Sequence, residues 1–190
     1  MIAAIVLAAG LGSRMGAVKP LLNIDGEPAL GRALAGLRGA GLSDIIVVLG
    51  RSAEEVRAAV DLDRCRVVLN DAPEQGMSTS LALGLDAVPA GALGALVLHA
   101  DMPFVLPDTI TAVVDAAAAG AGIVAPTHKG QRGFPVFFRR DAFAELRRSL
   151  VGDAGGRAYI ACHEDELVLV EVDDPGCVRD LDRPADLIRL

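Results

Sequence analysis

An apolar run of strand length, residues 2–7, leads without a break into LAAGLGSRMGAVK (residues 7–19), and this junction constrains the chain more than any other stretch. Gly10, Gly12 and Gly16 fall in the turn, together with Ser13, Arg14 and Lys19. Glycines accept φ > 0 and place no Cβ in the path of a bulky anion. Successive backbone N–H groups in such a turn form a concave anion site, and the two cations supply countercharge. The stretch predicts a loop that wraps the phosphates of a nucleotide; a glycine-rich turn with surface cations is the plain alternative. Two other glycine patterns do not fit. A P-loop needs Gly-Lys followed by Ser or Thr, whereas Gly16 is followed by Ala17 and Lys19 by Pro20. The dinucleotide fingerprint needs two residues between its second and third glycines, and here Gly12 and Gly16 are one residue too far apart.

Strand-like and helix-like segments then alternate. Leu30, Ala33, Leu34 and Leu37 recur at helical spacing, residues 45–49 form a continuous apolar strand, and Ser52 stands as N-cap of a short helix to residue 60. Further strands are expected at 66–69, 95–98 and 123–125, with helices at 77–88 and 107–119. From Gly133 the rhythm changes: FPVFF (134–138) reads as a strand entering from another direction. Helices at 142–150 and 156–162, a strand at 166–172 and a terminal helix at 184–190 complete the chain. The core must rest on Val, Leu, Ile and Ala, because the 190 residues include no tryptophan and one tyrosine. Repeated βαβ units with such strands imply an α/β fold: a three-layer, Rossmann-like, mostly parallel sheet with helices on both faces and one late antiparallel strand. The length suits a single domain, residues 1–190, with the part to about 125 on the nucleotide side and the remainder on the acceptor side.

Composition narrows the partners. The net charge of −7 offers no basic stripe to follow a nucleic acid backbone, so DNA and RNA are not expected. Cys65, Cys162 and Cys177 are widely spaced and form no C-x-x-C pair, which argues against zinc and disulfide frameworks and suits a reducing compartment. No apolar run approaches the ~20 residues of a membrane span. The N-terminus lacks a basic region before its apolar run, so a first strand is expected and no signal peptide. A cytoplasmic protein is the expectation.

In open α/β sheets ligands sit at the carboxyl ends of the strands, so polar residues there are the candidates. The first strand delivers the glycine loop, the third delivers Asn70, and the strand at 95–98 delivers Asp101, in HADMP. A carboxylate beside a phosphate loop is a sensible magnesium ligand; it can equally cap a turn before Pro103. NDAPEQGMSTSL (70–81) is a strand end, a polar loop and a helix start. It reads either as a helix cap or as a nucleobase pocket made by Asn70, the backbone from Gln75 through Gly76 to Ser78, and the hydroxyls of Ser78 and Ser80. His99 is more ordinarily a packed residue than a base. Asp182 can N-cap the last helix, with Pro184 in its first turn.

LAAGLGSRMG followed by Lys19 resembles the signature of the MobA-like NTP transferases. ADMP resembles the family's metal-binding motif, GMSTSL the version found in molybdenum cofactor cytidylyltransferases, and DLDRPADL (180–187) the family's DIDTPEDL ending. QRGFP (131–135) and GDAGGR (152–157) stand where the family carries RGHP and GDxGAR, with Phe134 in place of histidine and Gly156 in place of alanine. The resemblance implies an enzyme that joins an NTP, CTP favoured, to a phosphorylated acceptor such as molybdopterin, releasing pyrophosphate with Mg2+ as cofactor. A molybdenum hydroxylase is the implied recipient. It assigns Arg14, Lys19 and Asp101 to catalysis and Asp101 with Asp182 to the metal. It assigns Leu7, Ala8, Ala9, Gly10, Gly12, Ser13, Arg14, Lys19, Asn70, Gly76, Ser78, Ser80 and Asp101 to the nucleotide. Arg132, Gly133, Phe134, Pro135, Asp153 and Arg157 fall to the acceptor. Phe134 removes a polar contact and leaves the acceptor open. A sugar phosphate or phospholactate, GTP as donor, or a non-catalytic nucleotide-binding chaperone are the alternatives.

Overall fold

The computed structural model describes residues 1–10 and 18–181. Gly12, Ser13 and Arg14 of the glycine loop, Asp182, and the helix expected at 184–190 lie outside the described residues.

The strands are β1 (Ala3–Ala8), β2 (Asn23–Ile24), β3 (Glu27–Pro28), β4 (Ile45–Leu49), β5 (Cys65–Leu69), β6 (Gly94–His99), β7 (Ile123–His128), β8 (Gln131–Arg132), β9 (Val136–Arg139) and β10 (Leu167–Glu171). The helices are α1 (Ala29–Gly39), α2 (Ala53–Ala59), α3 (Met77–Ala87), α4 (Pro107–Ala118), α5 (Phe143–Ser149) and α6 (Arg157–Cys162). The main sheet runs β10-β7-β9-β6-β1-β4-β5, with β8 paired to β7. β1 is parallel to both β4 and β6, β4 to β5, and β10 to β7. β9 runs antiparallel to β6 on one side and to β7 on the other. The expected mostly parallel sheet with a late antiparallel strand is therefore present.

Alternation along the strands divides the core in two. Ala4, Val6, Val47, Leu96, Leu98 and Phe137 face α1, α2 and α4 and pack with Leu30, Leu34, Val56, Ile110 and Val113. Ala3, Ile5, Val48, Val97, Val136 and Phe138 face the other way, onto Leu81, Leu85, Leu146, Tyr159 and Ile160 of α3, α5 and α6. Side chains one residue apart on a strand point to opposite faces, so a continuous apolar strand serves both layers at once.

Three local features depart from the sequence reading. β7 extends to His128 and turns back through β8. β2 and β3 form a small hairpin whose two-residue turn, Asp25-Gly26, has φ of 51° and 92°, the left-handed pair that an Asp-Gly turn favours. Ser52 precedes α2 as expected, but its side chain makes no capping hydrogen bond; its carbonyl accepts from Val56 N at 3.0 Å instead.

Candidate active site

β1 and β6 lie side by side in register, Leu7 opposite His99, so their carboxyl ends open together. The chain leaving β6 stays tied to β1 by Ala100 N donating to Leu7 O at 3.1 Å. Asp101 follows at once. Its Oδ2 accepts from Lys19 Nζ at 3.0 Å, and each side chain keeps 19% of its surface exposed. Lys19 is carried there by a single 3-10 turn, Lys19–Leu21, with Pro20 buried beneath it. The two residues that the sequence reading placed in catalysis and that fall in the described part of the chain thus meet in one ion pair. Leu181 N donates to the carbonyl of Asp101 at 2.9 Å, and the Leu181 side chain is fully buried with Ile24 and Ala29. The segment at 180–181 is thereby pinned beside Asp101. Leu7, Ala8 and Ala9 are buried at the end of β1, and Gly10 is exposed.

A carboxylate that already holds a cation, with hard oxygen donors, is suited to Mg2+ or Mn2+. Among the described residues no group of three or more His, Cys, Asp or Glu side chains clusters closely enough to hold an ion. A shell in which one or two carboxylates share the ion with phosphate oxygens and water is the ordinary one for Mg2+.

On the β5 side, Asn70 is buried and its amide is committed to the protein. Nδ2 donates to Thr79 Oγ1 at 2.9 Å and to Ser80 Oγ at 2.8 Å, while Oδ1 accepts from Ala72 N at 3.0 Å. Ser78 donates to the Gly152 carbonyl from its backbone N at 2.9 Å and from its hydroxyl as well. The side chains that the sequence offered to a nucleobase are thus spent on shaping the loop that joins β5 to α3. Gly76 closes that loop at φ +102°, and a Cβ there would stand 2.5 Å from the Gly152 carbonyl carbon, so only glycine fits. Asp153 Oδ1 accepts from Met77 N at 3.1 Å and caps α3 from the far end of the chain.

The opposite wall borders a cavity of about 350 Å³. Arg132, Gly133, Phe134, Asp153 and Arg157 line it, as do Leu7, Leu81, Val97, Phe138 and Ile160. Pro135, joined to Phe134 by a cis bond, is not among the residues that line it. Gly133 fits because a Cβ would meet Cys177 O at 2.3 Å; Phe134 N donates to that same carbonyl at 2.8 Å. His99 reaches the cavity from β6 and sets its ring edge-on to Phe134, centroids 4.6 Å apart. Burial pushes its imidazole below the usual histidine range; Asp101 opposes this, and the cations of Arg157 and Lys19 reinforce it.

The sequence pattern of the MobA-like NTP transferase domain matches residues 4–167. The chain belongs to the MobA-like NTP transferase family. Rv0371c of Mycobacterium tuberculosis superposes with a TM-score of 0.87 at 33% identity, covering 99% of this chain and 96% of its own. The same protein in complex with manganese gives 0.85 at 34%, covering 100% and 97%. A nucleotidyl transferase from Methanothermobacter gives 0.84 at 27%, covering 100% and 95%. By sequence the chain is 37% identical to the bifunctional protein GlmU of Kineococcus radiotolerans over 128 residues, 64% of this chain and 26% of that protein. The chain thus spans about a quarter of the length of this relative.

Sequence reasoning passed over two features of the site. Thr79, bonded to Asn70 and to the Gly76 carbonyl at 2.9 Å, locks the loop before α3; a Thr at the start of a helix was the available signal. The meeting of His99 with Phe134 is the second: the sequence marks His99 as more ordinarily packed than a base, and nothing local shows that β9 and the 132–134 loop fold back to meet it.

Proposed function

We propose that this family member transfers the cytidylyl group of CTP to a phosphorylated acceptor, molybdopterin, with release of pyrophosphate and with Mg2+ as cofactor. The observation that carries the reading is the Lys19–Asp101 pair at 3.0 Å, set where β1 and β6 open together and where Leu7 and His99 border a cavity. An ion pair of this kind offers one anion to a metal and one cation to a phosphate. Asp101, with Asp182 as second carboxylate, holds the ion; Lys19 and Arg14 contact the phosphates. Held at Asp101, magnesium would supply Lewis-acid stabilisation of the charge growing on the α-phosphate and the leaving pyrophosphate. No covalent nucleophile is needed, since such transfers depend on positioning and charge stabilisation. The backbone of the loop from Asn70 to Ser78 reads the base, and Asn70, Thr79 and Ser80 hold that loop in shape. Arg132, Phe134 and Arg157 receive the acceptor. Residues to about 125 form the nucleotide side, and the rest the acceptor side.

The manganese complex of Rv0371c supports a divalent ion in a protein of this shape. Among the described residues no helix is long and apolar enough to cross a membrane, in keeping with a cytoplasmic enzyme that passes its product to a molybdenum hydroxylase. The test is pyrophosphate release from CTP, GTP, ATP and UTP, each with molybdopterin, a sugar phosphate or phospholactate, with and without Mg2+. CTP with molybdopterin is expected to turn over fastest. Faster turnover with GTP moves the protein to guanylyl transfer; turnover only with a sugar phosphate or phospholactate replaces the acceptor. No pyrophosphate from any pair leaves a nucleotide-binding carrier.

A further inference from the structure

The cavity at the carboxyl ends of β1 and β6 has a wall mostly of hydrocarbon, yet one imidazole enters it. Leu7, Leu81, Val97, Phe134, Phe138 and Ile160 supply the apolar lining. A polyhydroxylated body placed there would find partners at Arg132, Asp153 and Arg157, but hydroxyls turned to the apolar wall would go without, at a cost in free energy for each one. A flat ring suits that apolar wall, with the acceptor's phosphate turned toward Arg132 and Arg157.

His99 stands apart from this lining. Its only described ring contact is the edge-on packing against Phe134, 4.6 Å between centroids. Among the described residues neither of its ring nitrogens has a hydrogen-bond partner. No side-chain nitrogen or oxygen that is sealed from solvent lacks such a partner among those residues. The nitrogens of His99 are therefore not sealed from solvent, and His99 lines the cavity. The sequence motif at 132–135 carries phenylalanine where the resembled family carries histidine, and the imidazole here enters across the contact from β6 instead.

We propose that His99 is a specificity-determining residue of the acceptor site, presenting an imidazole nitrogen to the hydrogen-bonding edge of a flat heteroaromatic ring that the acceptor carries beyond its phosphate. The proposal rests on the reading of this cavity as the acceptor site. An imidazole presents its two ring nitrogens in one plane, so it fits a heteroaromatic edge better than it fits a scatter of hydroxyls. The aromatic face of Phe134 then packs the same body, and the pair His99–Phe134 divides between two elements what one histidine in the loop would do.

The test uses the intact protein and molybdopterin as probe. Equilibrium affinity for molybdopterin is measured without nucleotide, and KM for molybdopterin and for CTP under turnover, in wild type, His99→Leu, His99→Gln and the exchange His99→Phe/Phe134→His, with melting temperatures for all. His99→Leu is expected to weaken molybdopterin binding roughly tenfold, the effect of one buried hydrogen bond. Its KM for CTP and its melting temperature should stay near wild type. His99→Gln, which keeps a donor and an acceptor, and the ring exchange, which returns an imidazole to the same cavity, should each recover much of the loss. His99→Leu that binds molybdopterin as tightly as wild type overturns the proposal alone. A folded ring exchange as weak as His99→Leu also overturns it. Wild type that does not bind molybdopterin overturns the acceptor reading, and this proposal with it.

Discussion

Residues 1–101 and residues 123–181 build their parts of the site in different ways. In the first part β1, β4, β5 and β6 are parallel, and each hands its loop to the same edge of the sheet. The Lys19–Asp101 pair and the loop after Asn70 follow from that one rule of topology. In the second part β9 is inserted between β6 and β7 against the direction of both. Its loops then reach back to the first part: Gly152 and Asp153 cap α3 across 74 and 76 residues of sequence. The comparison teaches that the Lys19–Asp101 pair is placed by local strand ends, whereas the shape of the cavity wall is placed by long-range packing.

The sharpest way to break this division is at Asp101. Asp101→Asn keeps the shape and one acceptor oxygen but removes the negative charge. Single-turnover pyrophosphate release should fall by about a thousandfold. Calorimetric CTP affinity should fall far less, because the glycine loop and the base loop are untouched. Removing Mg2+ with a chelator should lower wild-type turnover to a similar degree, and added Mg2+ should not rescue the variant. Normal turnover of the variant would place the metal elsewhere.

Lys19→Ala comes next. Loss of a charge-assisted phosphate contact should cost ~2–4 kcal/mol in kcat/KM for CTP. Lys19 lies on a surface turn, so the melting temperature should hardly change. Unchanged turnover in the folded variant would remove Lys19 from the mechanism.

Gly76→Ala tests the seam between the two parts. Its φ of +102° and the 2.5 Å approach of a Cβ to Gly152 predict a loss of about 1–3 kcal/mol in unfolding by denaturant. Affinities for CTP and for the acceptor should fall together, since the seam shapes both. A smaller version is expected of Asp153→Ala, which removes the α3 cap at a cost of about 1 kcal/mol. Asp153→Asn keeps the accepting oxygen and should lose less. If Asp153→Ala leaves stability unchanged but raises acceptor KM, Asp153 serves the acceptor directly and the cap is incidental.

The smallest effect concerns the cysteines. Burial, with Asp174 adding to it, pushes the Cys177 thiol up to about 11, while Cys162 is exposed. A thiol reagent at pH 8 should label Cys162 first and Cys177 only after unfolding, as peptide mapping would show. A folded-state pKa raised above the ordinary thiol value contributes stability that is complete below about 9 and lost as pH rises toward about 11. Denaturant midpoints in that window should therefore fall, and less so in Cys177→Ala.

The sequence by itself determined the alternating strands and helices, the parallel order at the first strand, and the polar residues that strand ends deliver. Those follow from period, glycine placement and the carboxyl-edge rule, all of which act over a few residues. Lys19 and Asp101 were legible for that reason. The tertiary structure alone decided what Asn70, Ser78 and Ser80 do, because a buried amide or hydroxyl takes whatever partner the fold brings, and here the partners are Thr79, Ala72 and Gly152. It also decided that His99 meets Phe134. One lies on β6 and the other in the loop before β9, and only the antiparallel pairing of those strands, Val97 opposite Val136, carries the two rings to the same cavity.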